Sequence, residues 1–310
     1  MDDRKALPLM DARIEHGTLM TRTAWAAIAV AVFLIVLKTI AYIFTDSIAM
    51  MASLADSALD VFASSINLIA IRAALAPADA EHRFGHGKAE PLAGLMQAAF
   101  ISGSVAFMVI ESVSRLVEPH RIEQGGLALT VMAVSIVATA ALITVQQIAV
   151  KRTGSVAIGA DRMHYVGDLL TNLGVVLAIL LSLGLGWLIA DPIIGLIIAA
   201  TLAWSAVHVF RQSYDQLMDR ELPDFDRERI KQIVRAHAEV KNLHDLRTRA
   251  SGIHAFIQFH IELDPKIALT RAHEISDAVE ADVCAAFPHA EVIIHQDPAG
   301  LEQPPALERT

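Results

Sequence analysis

Apolar residues fall into two regimes along the chain. Up to about residue 210 they form long unbroken runs, and beyond it they alternate or recur at helical spacing. Six runs are long enough to cross a bilayer, which takes about 20 apolar residues. They cover 24–44, 48–71, 92–113, 127–150, 166–187 and 193–210. The first follows a polar stretch and is too long for a signal-peptide core, so it reads as a retained helix. After residue 211 the pattern predicts a helix over 224–240, starting at Pro223-Asp224. Strands are expected over 242–250 and 253–263 around a Ser251-Gly252 turn, then a helix over 270–287 and a strand over 290–295. The expected fold is an α-helical membrane protein with six transmembrane helices, followed by a C-terminal α+β domain in αββαβ order. The expected divisions are an N-terminal tail over 1–22, a membrane domain over 23–211, a cytoplasmic domain over 212–300 and a disordered tail over 301–310.

Composition sharpens that division. Of 310 residues 54% are hydrophobic and 19% charged, with a mean hydropathy of +0.47; soluble chains average about 25% charged. A net charge of −9 disfavours nucleic acid as a partner, because phosphates demand a basic face. A lone cysteine, Cys284, excludes an internal disulfide and any CxxC site. An even number of spans puts both termini on one side. The loops and tails of that side carry Arg72, Arg83, Lys88, Lys151, Arg152, Arg162, Arg211 and Arg220, against Arg115 and Arg121 opposite. The positive-inside rule therefore makes both termini cytoplasmic.

Ionisable residues inside the runs are the candidate chemistry. Asp56 and Asp60 lie mid-way in the second run, and His164 and Asp168 bracket the start of the fifth. Each pair is spaced i,i+4 and shares a helix face. Asp46, Glu111 and Asp161 fall at run boundaries and read as helix-end or ion-paired residues. Asp60 is different: at 1.5 Å per residue it lies roughly 20 Å from Asp46 and about 18 Å from Arg72. A charge at that depth costs at least about 2.5–3.5 kcal/mol and usually marks an ion or proton path. Lys38 is the one basic residue within the runs and cannot balance three aspartates. A structural salt-bridge cluster is the alternative to a metal site. Three carboxylates and one imidazole suit Zn²⁺ or Fe²⁺, and protons would compete for the same ligands.

The segments that carry these residues are together distinctive. Ala55-Asp56-Ser57-Ala58-Leu59-Asp60, 160–168 and the loop 79–90 resemble the cation diffusion facilitator family, as do 244–249 and 293–298. The likeness spans about residues 20–300 and is nearest the bacterial zinc and ferrous-iron efflux pumps. It implies a transport site of Asp56, Asp60, His164 and Asp168. It implies a second site at Asp79, His82 and His86 in the loop, and a two-metal site at His244, His260, His273, His295 and Asp297 in the tail domain, which would be metallochaperone-like. It also implies a charged pair, Lys88 with Asp219, at a homodimer interface. An aspartate at position 56 implies a wider-specificity pump for Zn²⁺, Cd²⁺ and Fe²⁺. The expected function is exchange of divalent metal for protons across the bacterial cytoplasmic (inner) membrane. A metal sensor or scaffold without transport is the alternative. An enzyme lacks support: HExxH, Walker A and GxSxG are all absent. The row Gly94, Ala98, Ser102 and Ala106 could seat a second copy or another span of the same chain. His16, His120, His208, His237, His254 and His289 have no assigned role.

Overall fold

The computed structural model describes residues 3–45, 48–117, 126–185 and 189–300. The boundary loop holding His120 and Arg121 and the tail after residue 300 lie outside the described residues. The chain divides into two compact units, His16–Tyr214 and Asp215–Thr310, the second including Met1–Glu15.

Six long helices build the first unit. They are α1 (Asp3–Thr45), α2 (Ile48–Ala74), α3 (Ala89–Val117), α4 (Gly126–Thr153), α5 (Val156–Leu185) and α6 (Ala190–Leu217). Among the described residues, five helices are long and apolar enough to cross a membrane. Several helices extend past their apolar runs, most of all α1, whose polar N-terminal stretch continues the helix nucleated by its apolar part.

The burial pattern of the first unit combines an apolar exterior with polar side chains inside. Phe33, Phe62, Ile69, Phe107, Ile110, Val137 and Trp204 face outward, while Ser57, Ser64, Asn67, Gln97, Gln146 and Asp161 are buried. Such a surface suits lipid, and Ser64, Gln97, Gln146 and Asp161 hydrogen-bond one another across the bundle. Small residues allow the close approach. A Cβ on Gly174 would lie 2.6 Å from Ile198 and 2.9 Å from Ile194, so α5 and α6 meet there only because the side chain is absent. A Cβ on Gly94 would lie 2.2 Å from the Ser213 hydroxyl of α6, and Ala98 sits in a cluster with Ala160 and Val209. The start of the small-residue row is therefore occupied by helices of the same chain.

The second unit holds α7 (Asp224–Arg235), β1 (Asn242–Ser251), β2 (His254–Leu263), α8 (Leu269–Ala286) and β3 (Ala290–Pro298). The sheet order is β1-β2-β3, antiparallel then parallel. Helix α7 stops five residues short of the 224–240 expected: Val240 N–H bonds the His237 carbonyl at 3.0 Å, closing a turn instead of another helical step. Ile230 and Val234 of α7 and Ile275, Val279 and Val283 of α8 cover Ile257, Phe259 and Ile261 of β2. Strand period two then sends Gln258, His260 and Glu262 to the opposite face.

Candidate metal centres

Among the described residues, three groups of side chains, one per segment singled out by the sequence, offer ligand atoms within 4.8 Å of one another. In the bundle, α2 contributes Asp60 and α5 contributes His164 and Asp168. His164 Nε2 lies 3.0 Å from Asp60 Oδ1 and 3.9 Å from Asp168 Oδ2, with side-chain exposures of 10% for His164, 7% for Asp60 and 25% for Asp168. Asp168 Oδ2 is buried without a hydrogen-bond partner. A buried carboxylate oxygen left this way is costly unless a cation fills the gap. Asp56, one turn before Asp60, is exposed and stands outside the three-residue group. Its neighbour Ser57 accepts a 2.7 Å hydrogen bond from Lys38 Nζ.

The loop between α2 and α3 folds about Asp79. Its Oδ1 accepts from the backbone N–H of His82 at 2.6 Å and of Glu81 at 2.9 Å. The His82 N–H, first among these donors, holds the carboxyl below the usual carboxylate range. His82 Nδ1 is 3.2 Å and His86 Nε2 3.3 Å from the same carboxylate. Gly85 takes φ +77°, a left-handed step that returns the chain toward Asp79. His86 Nδ1 is buried and lacks a hydrogen-bond partner.

In the sheet, the register pairs His244 with His260 and His260 with His295. Asp297 gathers them: its Oδ2 lies 2.8 Å from His260 Nδ1 and 3.3 Å from His244 Nε2, and its Oδ1 lies 3.4 Å from His295 Nε2. His244 Nε2 is again buried without a hydrogen-bond partner. His273 is not brought to this group. It stands on α8, on the other face of the sheet, 72% exposed and 3.6 Å from Asp277.

Sequence reasoning missed several residues around these groups. Asp245, at φ 48° in the β1 bulge, lies 3.9 Å from His260 Nε2, and Glu262 lies 4.0 Å from His244 Nε2. Glu90, 1% exposed, accepts hydrogen bonds from the Ser155 hydroxyl and the Ala157 N–H, capping the start of α5 from α3. Asp161 is not the helix-end or ion-paired residue expected. It is buried six residues into α5, and amide and hydroxyl groups from three other helices bond it. Gln97 and Gln146, uncharged but mid-run, were the available signal. Asp219 pairs with Arg249 at 3.3 Å within its own unit.

A membrane bundle with a buried acid–imidazole group, joined to a small αββαβ domain, defines a cation efflux protein. Residues 24–218 match the cation efflux transmembrane domain and residues 222–299 the cation efflux protein cytoplasmic domain. The chain belongs to the cation diffusion facilitator family and is a multi-pass membrane transporter of cations. It is 46% identical over 277 residues to the cation-efflux pump FieF of Shewanella oneidensis, covering 89% of this chain and 93% of that one. It is 42% identical over 289 residues to FieF of Klebsiella pneumoniae, covering 92% and 95%. A solved zinc form of CzrB is 30% identical, covers 28% of this chain and 99% of that one, and has a TM-score of 0.25.

Proposed function

We propose that the protein is a homodimeric exporter of divalent metal, Zn²⁺ first with Cd²⁺ and Fe²⁺ as further substrates, driven by exchange for protons. The bacterial inner membrane, with both termini cytoplasmic, is its expected site. The observation that carries this reading is the Asp60, His164 and Asp168 group, inside the bundle, with Asp168 Oδ2 lacking a hydrogen-bond partner. Carboxylate and imidazole ligands suit Zn²⁺ and its borderline neighbours, and the same atoms bind protons when the metal leaves. Asp56 is one turn from Asp60 and is proposed as the fourth ligand. Metal would load from the cytoplasm, exchange for protons at this group and leave on the far side by alternating access.

The loop residues Asp79, His82 and His86 are proposed as a second metal site. His244, His260, His295 and Asp297 are proposed as a cytoplasmic site that responds to metal level. Because α8 lies on the opposite face of the sheet, His273 could reach such a site only from a second copy. Lys88 and Asp219 are proposed as a charged pair between spans and tail domain at the dimer interface. The test is Zn²⁺ uptake into reconstituted vesicles. Asp60→Ala and His164→Ala should each abolish it while inserting normally, and full transport by both would remove the assignment.

A further inference from the structure

We propose that Asp161 is a positioning residue for the transport site, resting on the reading of Asp60, His164 and Asp168 as cation ligands. Its carboxylate gathers hydrogen bonds from α2, α3 and α4, and so fixes the rotation of α5 that aims His164 at Asp60. Asp161 Oδ1 accepts from the Ser64 hydroxyl at 3.3 Å and Gln97 Nε2 at 3.2 Å, while Oδ2 accepts from Gln146 Nε2 at 2.7 Å. Ser64 Oγ lies 2.9 Å from the Tyr165 hydroxyl, which donates to the Ala27 carbonyl of α1 at 3.4 Å. One buried network therefore touches five helices.

Its placement relative to the ligands gives it a functional reading. Ser64 is one turn beyond Asp60 on α2, Asp161 is three residues before His164 on α5, and Tyr165 follows His164 directly. Both ligand-bearing helices are thus pinned one turn from their ligands, on the side where the loop 75–88 and the start of α5 lie. A helix rotates about 100° per residue at 3.6 residues per turn, so a small slip of α5 would swing His164 away from Asp60 at 3.0 Å. The two remaining explanations for a buried aspartate fit less well. Asp161 is too far into α5 to cap its N-terminus, since capping acts within the first turn. Its hydrogen-bond partners are amides and a hydroxyl, not the cation of an ion pair.

The network also predicts which substitutions it tolerates. Gln97 Oε1 and Gln146 Oε1 are buried without hydrogen-bond partners. Turning the Gln146 amide over would offer its oxygen to the new N–H₂ of Asp161→Asn, so that variant keeps the network without the charge. Asp161→Ala removes the acceptor and strands the buried Gln146 Nε2, while Gln97 Nε2 keeps the Ala63 carbonyl at 3.4 Å and Ser64 keeps the Tyr165 hydroxyl.

The full chain in vesicles, with Zn²⁺ as probe, decides the matter through KM for uptake and hydrogen exchange of backbone amides in 60–66 and 158–166. Asp161→Asn should stay within about twofold of the parent KM, whereas Asp161→Ala should raise KM by about tenfold or more and speed exchange in both segments. Gln146→Met, which deletes one donor at similar size, should move both readouts the same way by less. An unchanged KM in Asp161→Ala overturns the proposal. So does Asp161→Asn failing as badly as Asp161→Ala, which would assign the role to charge. Should Asp161→Ala not fold, unchanged KM and exchange in Gln146→Met overturns it. Asp60→Ala in the same vesicles tests the transport reading separately. If that variant still transports, the transport reading fails, and the network is then judged on hydrogen exchange alone.

Discussion

His164 faces Asp60 at 3.0 Å and Asp168 at 3.9 Å, so a proton on the imidazole and a metal ion between the three side chains are mutually exclusive. Uptake should therefore weaken as the loading side is acidified, because protons compete with the metal for the same ligand atoms. His164→Asp should move that loss to lower pH, because a carboxylate holds protons less tightly; initial rates across a pH series would show it, and an identical profile would point to another proton carrier. Asp79 obeys the opposite sign. Backbone N–H donors hold its carboxyl low, so the turn it organises is intact at neutral pH and fades once acid protonates it, below the ordinary carboxylate range of about pH 4. Amide exchange of the loop should rise there, and Asp79→Ala should show that rise already at pH 7. The ligand candidates were legible because a carboxylate mid-run has few reasons to exist. Asp161 was not, since a search for charge alone passes over Gln97 and Gln146, whose amides give that aspartate its place.

Helices and strands were legible to different depths. The alternation in 254–263 announced which side chains of β2 face the core, and Phe259 and Ile261 are buried there while His260 is not. The end of α7 was not visible, because 236–240 has no Gly or Pro to stop a helix and its turn depends on local hydrogen bonds. The small-residue row on α3 left two partners open on spacing alone; packing of Gly94 and Ala98 against α5 and α6 decides for the same chain at that end. Close packing between helices is open to test. Gly174→Ala should lower thermal stability, by the roughly 1–3 kcal/mol of an overpacked contact, since Ile198 and Ile194 stand 2.6 and 2.9 Å from the added Cβ. Gly103→Ala, with nothing within 4 Å, should not; melting curves in one detergent compare the two. The sheet cluster predicts a second contrast. A segment covering 215–300, which has its own core, should melt at higher temperature with Zn²⁺ by mass action. His260→Ala should remove most of that rise and His254→Ala should leave it.

For the whole molecule, the acid-rich tail unit and the membrane bundle carry separate ligand groups, so disabling one should leave the other's chemistry in place. Loss of His260 and Asp297 should grade the transport rate, whereas loss of Asp60 should end transport. Mass measurement in detergent should report a dimer; a monomer alone would count against Lys88 and Asp219 as interface partners. The central claim is that the buried group on α2 and α5 exchanges metal for protons. Vesicles holding both a zinc-sensitive and a pH-sensitive dye test it most directly. Zn²⁺ movement should be accompanied by proton movement in the opposite direction, with both signals lost in Asp60→Ala and in His164→Ala. Zn²⁺ movement without proton movement in the parent protein, or both signals persisting in the two variants, would contradict the account.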